Sequence, residues 1–120
     1  MKKILLATIV AAFMATSAHA ACEGGTLSDD GQFCISNITL NWWSASNWCK
    51  ANGRHLATVY EVCPDWDGNK GSGKCPVIAS SISGYAWTAT ASDIYAFGVD
   101  PSNGYLNDPN RSSAYYALCK

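Results

Sequence analysis

Apolar residues fall in three patterns along this chain: an unbroken block at the start, a helically spaced set before the midpoint, and short runs after it. The block comes first. Lys2 and Lys3 precede the apolar run Ile4 to Met14, and the small-residue stretch Ala15 to Ala20 ends in Ala18-His19-Ala20. A charged start, a short apolar centre and an Ala-x-Ala end predict an export signal over residues 1–20. The competing reading, a membrane anchor, needs ~20 apolar residues, and this run is well short of that. Cleavage after Ala20 leaves 100 residues, 21–120, the size of one domain.

The next pattern is a hairpin and then a helix. Between Cys22 and Cys34 the tetrad Ser28-Asp29-Asp30-Gly31 has turn chemistry, because Asp-Gly tolerates positive φ. Ile35, Ile38 and Leu40 lead from it toward a helix. That helix begins at Asn41, a good N-cap, with Trp42, Ala45, Trp48 and Cys49 on one face and Gly53 as its stop. Thr58-Val59-Tyr60-Glu61 has capping-box form and predicts a second, shorter helix that Pro64 ends. Asp65 to Lys74 is loop composition bracketed by Cys63 and Cys75, and a local bond between those two would close it. The runs Val77–Ile82, Tyr85–Thr90, Tyr95–Val99 and Ala114–Cys119 predict strands. Turns at Pro101-Ser102-Asn103-Gly104 and Asn107-Asp108-Pro109-Asn110 separate the later ones. Helices first and a small antiparallel sheet after them make an α+β domain.

Cysteine content changes this picture from a bare pattern to a stapled one. All six cysteines, Cys22, Cys34, Cys49, Cys63, Cys75 and Cys119, lie beyond Ala20. An even count in a short exported chain reads as a disulfide framework, for which 15 pairings are open. A zinc site is disfavoured, since no Cys-x-x-Cys occurs and His55 is the sole histidine past the signal. Lipidation of Cys22 is disfavoured too: His19 stands where a lipobox carries Leu, and five cysteines would remain. Charge excludes other classes. Six basic against nine acidic residues leave the mature chain at −3, with no pull on phosphate backbones or anionic lipids.

The register Asn41-Trp42-x-x-Ala45-x-x-x-Cys49-x-x-x-Gly53-x-x-Leu56-Ala57-Thr58 resembles the first helix of C-type lectin-like domains. Ala86-Trp87-Thr88 is similar to the family's Trp-containing strand, and Tyr115-Tyr116-Ala117-Leu118-Cys119 to its last strand. The likeness covers Cys22 to Lys120 and is nearest to short bacterial forms. It implies the pairing Cys49–Cys119 from helix to last strand, Cys22–Cys34 at the hairpin, and Cys63–Cys75 across the loop. Sugar-binding members hold calcium with Glu-Pro-Asn or Gln-Pro-Asp and with Trp-Asn-Asp. Neither triplet occurs here; Leu106-Asn107-Asp108-Pro109 has only the Asn-Asp pair. The resemblance therefore implies a binding module without the family's calcium-dependent sugar site.

Candidate chemistry gathers in two places. Asp65, Asp67 and Asn69 set oxygens at every second residue, as calcium loops do, although an EF-hand would have Gly at Lys70 and Glu at Pro76. A polar turn pinned by a disulfide explains the same residues. Trp66 either stands partly exposed between its two acids, as a sugar platform or hot spot, or folds back over the domain. Trp42, Trp48 and Trp87 read as core, with Trp43 undecided. Tyr95, Tyr105, Asn107, Asp108, Asn110 and Arg111 form the second candidate cluster, and the resemblance makes that region the ligand face. Enzymatic readings find little support: paired cysteines offer no nucleophile, His55 falls in a structural stretch, and Asp65 with Asp67 has no cleft to separate two pKa values. The sequence thus points to an exported, non-catalytic module that binds a glycan or protein at the cell surface or beyond. Calcium is the one cofactor worth testing. The alternative is a structural or self-assembling envelope subunit.

Overall fold

The computed structural model describes residues 22–69 and 75–120. The predicted signal over residues 1–20 and the loop segment Lys70–Lys74 lie outside the described residues. Strands β1 (Gly25–Leu27) and β2 (Cys34–Leu40) form the first hairpin, in the register Gly25 to Ser36 and Leu27 to Cys34. Its turn is closed by the Ser28 N–H donating to Phe33 O at 2.8 Å, with Gly31 at φ +79°. The chain between Phe33 and Asn41 is thus a full seven-residue strand rather than a lead-in to the helix.

Helix α1 (Trp42–Ala51) starts where the sequence places it, since the Asn41 side chain accepts the Ser44 N–H at 2.9 Å. Gly53 ends it at φ +71°, and the Arg54 N–H closes onto Cys49 O at 2.9 Å. In helix α2 (Val59–Val62) both capping-box bonds form: Glu61 N–H to Thr58 Oγ1 at 3.1 Å and Thr58 N–H to Glu61 Oε1 at 2.8 Å.

Strands β3 (Ala86–Ser92), β4 (Tyr95–Val99), β5 (Leu106–Asn107) and β6 (Tyr115–Cys119) complete one sheet in the order β1-β2-β6-β3-β4-β5. Two expectations need correction here. The run Val77–Ile82 is not a strand. The Ile78 and Ala79 N–H groups both donate to Pro101 O at 3.1 Å, and Ile78 O accepts the Asp29 N–H at 2.8 Å. Ile78 and Ala79 are buried side by side while Val77 is exposed, a packing role that carries no strand period. Nor is the sheet purely antiparallel: β6 inserts between β2 and β3 and runs parallel to β3, Ala86 beside Tyr116 and Trp87 beside Ala117. The return segment between β5 and β6 makes the crossover that parallel pairing demands.

Strand alternation sorts the core onto two faces. Cys34, Trp87, Ala96, Ala117 and Cys119 pack with Ala45 and Cys49 of α1 and with Leu56. Their strand neighbours Ile35, Ala86, Val99 and Leu118 pack with Val59 and Val62 of α2 and with Cys63, Trp66, Cys75, Ile78 and Ala79. One face is therefore covered by a helix, the other by a short helix and loops. Trp87 is wholly buried and donates its indole N–H to Leu40 O at 2.7 Å, while Trp42 and Trp48 are half-buried and Trp43 is exposed.

Cys49–Cys119 joins α1 to β6, and Cys22–Cys34 ties the chain entry to β2, as the resemblance implied. The third implied bond is not formed. Cys63 and Cys75 are buried thiols, hydrogen-bonded to each other. Burial, then that hydrogen bond and the neighbouring sulfur, push the Cys75 thiol far above the usual thiol range. Two disulfides suit an oxidising, extracellular environment. Among the described residues no helix is long and apolar enough to cross a membrane.

Candidate functional site

The candidate site grows from the tip of the β3–β4 hairpin. Ser92 and Tyr95 pair across a two-residue turn, with Asp93 at φ +57°, a conformation that Asp tolerates better than most residues. The next residues of β4, Ala96 and Phe97, form the back of a cleft of about 430 Å³, which Gly68, Asn69, Ser92, Tyr95 and Asp108 also line. Its two walls come from segments far apart in sequence.

One wall is the loop after α2. The Trp66 ring packs between Tyr60 and Phe97, at centroid distances of 5.0 Å to each, and is 9% exposed. Of the two readings of Trp66, the fold-back one holds. Its indole N–H donates to Asn69 O at 3.0 Å, and Asp67 Oδ1 accepts the Asn69 N–H at 2.9 Å. Asp67 and Asn69 thus build a turn clamped over an indole. Among the described residues no group of three or more His, Cys, Asp or Glu stands together to hold a metal ion.

The other wall follows β5. Asn107 pairs with Gly98, and its Oδ1 accepts the Asp108 N–H at 2.9 Å, which turns Asp108 toward the cleft. Pro109 O accepts the Ala96 N–H at 3.1 Å, and Asn110 bridges to Tyr95, so this segment runs along the mouth of the hairpin. Tyr95 is 46% exposed. One open aromatic face, an amide, a hydroxyl and a carboxylate around an aromatic floor form a surface that stacks on a ring and hydrogen-bonds its substituents.

Of the predicted candidates, Asn69, Tyr95 and Asp108 line the cleft, and the others do not line it. Tyr105 is exposed at the Asp100–Gly104 turn, where its N–H donates to Asn103 Oδ1 at 3.0 Å. Asn110 Oδ1 caps Ser112, and Asn107 is spent on the β5 pairing. Arg111 lies over the rings of Trp42 and Trp43, at 5.0 and 5.5 Å from their centroids, and its Nε is buried without a hydrogen-bond partner among the described residues. Ser92, Phe97 and Gly68 escape the sequence reading. Ser92 was legible in principle, since two strands separated by Asp93-Ile94 make a hairpin whose flanking pair is Ser92 and Tyr95.

His55 Nε2 lies 3.2 Å from both carboxylate oxygens of Glu61, within hydrogen-bond distance. Burial pushes the Glu61 carboxyl up, but the Thr58 N–H and then His55 outweigh it and hold the group below its ordinary value. The pair finishes the α2 cap and lies apart from the cleft. Comparison of the chain with protein-family models, with curated proteins and with solved structures finds no match.

Proposed function

We propose that the protein is an exported, non-catalytic binding module of the C-type lectin-like kind, and that its cleft beside Tyr95 takes a glycan. The observation that carries this reading is the convergence of Asn69, Ser92, Tyr95 and Asp108 on one concave surface above Phe97. A cleft of about 430 Å³ lies at the small end of the range for ligand sites, enough for one or two sugar residues. Tyr95 supplies the stacking face, while Asn69, Ser92 and Asp108 supply acceptors and donors for hydroxyls. The C-type lectin-like assignment is supported by the bond from α1 to the last strand and by the buried Trp87.

The test is a glycan and surface-protein binding screen of the folded domain, run with calcium and again with chelator. The expected outcome is binding indifferent to chelator and weakened at least ~10-fold by Tyr95→Ala, the loss of one stacked ring. A Tyr95→Ala variant that folds and binds unchanged sinks the assignment. The self-assembling reading has one observation in its favour: Trp43 is 52% exposed beside Arg111, a residue pair typical of protein contacts. Concentration-dependent association abolished by Trp43→Ala, with no glycan bound, favours that reading instead.

A further inference from the structure

Arg111 is held by stacking rather than by a counter-charge. Its Cζ lies over the Trp42 and Trp43 rings, at 5.0 and 5.5 Å from their centroids, and among the described residues no carboxylate pairs with it. We propose that Arg111 and Trp43 form a second subsite, which takes the carboxylate-bearing residue, a hexuronate, of an acidic glycan. This names the class of ligand for the glycan reading of the Tyr95 cleft and rests on that reading.

The backbone fixes the position of the cation. The Arg111 N–H donates to Ile94 O and its carbonyl accepts the Trp42 N–H, each at 2.9 Å, so the residue ties the tip of the β3–β4 hairpin to the start of α1. Asn110 Oδ1 closes the turn around it, accepting the Ser112 N–H at 2.9 Å and the Ser112 hydroxyl at 2.8 Å. The guanidinium lies against the first two residues of α1, whose first turn carries no acidic residue. A helix start is the positive end of the peptide dipoles, so a cation there is unfavourably placed until an anion joins it. Nε is buried without a partner, whereas the two Nη groups are neither buried nor hydrogen-bonded among the described residues. The outer edge of the fork is thus open, and its planar pair of donors matches a carboxylate.

The surroundings select a sugar as the bearer of that carboxylate. Trp43 is exposed beside the fork, and an aromatic face flanked by hydroxyl and amide groups stacks on a pyranose ring. Ser44 and, one helical turn on, Asn47 are exposed next to Trp43, as are Asn110 and Ser112 next to Arg111. Arg111 follows Asp108 by three residues, a span of at most about 11 Å, so one oligosaccharide reaches from the cleft to the subsite. Asp108 makes the cleft itself a poor place for an anion. The acidic residue therefore goes to Arg111 and a neutral one to Tyr95. The net negative charge of the mature chain gives no long-range pull on polyanions, so selection rests on contact with the fork.

The test titrates the purified protein by calorimetry with galacturonate, glucuronate and mannuronate oligomers, each beside its carboxyl-reduced, neutral counterpart. At least one acidic oligomer is expected to bind ~10-fold tighter than its neutral form, the worth of a charge-assisted pair of hydrogen bonds. Arg111→Gln is expected to collapse that difference, and Arg111→Lys, which keeps the charge and loses the fork, to keep only part of it. Trp43→Ala changes an exposed side chain, so the fold stands, and it should weaken binding of the acidic oligomer too. Tyr95→Ala should weaken both members of a pair alike. Equal binding of acidic and neutral members overturns the proposal and leaves the cleft reading standing, as does an acid preference that survives in folded Arg111→Gln protein. Silence from every oligomer, while another neutral glycan binds and loses affinity in Tyr95→Ala, overturns this proposal alone. A polyglutamate peptide that displaces the acidic oligomer at equal concentration assigns the fork to a protein partner and overturns it as well.

Discussion

The two faces of the sheet are built from the same strands and held by different means. On the α1 face the packing is a ten-residue helix anchored covalently to β6 through Cys49 and Cys119, and β2 is tied to the chain entry through Cys34. On the opposite face the cover is a four-residue helix followed by loops, and the sulfur there is a thiol pair. What replaces the covalent ties is an aromatic stack, Tyr60 on Trp66 on Phe97, whose last member is the floor of the cleft. The contrast teaches that covalent anchoring and the cleft are separated across one sheet: the stapled side holds the strands in place, and the loop side shapes the surface they present.

The largest expected break in that contrast is on the stapled side. Replacing Cys49 and Cys119 together by Ala removes a cross-link over 70 residues and should lower the unfolding free energy by about 4 kcal/mol, read from urea midpoints. Ligand binding by whatever fraction stays folded should be unchanged. Trp66→Ala should cost about 3 kcal/mol as a cavity and, unlike the cysteine pair, should also weaken binding, because Phe97 and Asn69 both lose their support. Equal losses of binding from the two changes would erase the proposed separation. Gly104→Ala comes next: φ of +80° and the contact with Cys75 O together predict roughly 2 kcal/mol, again confined to the loop face.

The smallest effect is at the cap of α2. Glu61→Gln should cost about 0.5 kcal/mol at neutral pH. The wild-type carboxyl is held below its ordinary 4.5, so its contribution is complete above that value and fades as pH falls through the folded one. The gap between wild type and Glu61→Gln in melting temperature should therefore close on acidification below about pH 4.5. A gap that is constant from pH 7 to pH 3 would assign the loss to the neutral hydrogen bonds instead.

Where local chemistry decides, the chain was readable. Asn41, Gly53, Thr58 and Glu61 act through neighbours within four residues, so both helices and their caps follow from the residues themselves. The strand at Tyr95–Val99 was equally plain. What failed was decided at a distance. Val77–Ile82 has strand composition, but Pro101 and Asp29 claim its backbone, and neither is near it in sequence. The place of β6 beside β3 cannot be read from a run of five residues, since parallel pairing has no local signature. The cleft was half legible for the same reason. Its turn residues Asn69 and Asp108 stand out as polar clusters, whereas Phe97 reads as ordinary core until Trp66 is seen against it.

The insertion of β6 between β2 and β3 also sets an order of events. Before Tyr115–Cys119 arrives, β2 with its hairpin and β3 with its hairpin are two separate pieces with no ladder between them. Each piece has an edge that only β6 fills, so the ladder across the whole sheet is completed by the final strand. The sheet and the bond from Cys49 to Cys119 therefore depend on the same last strand.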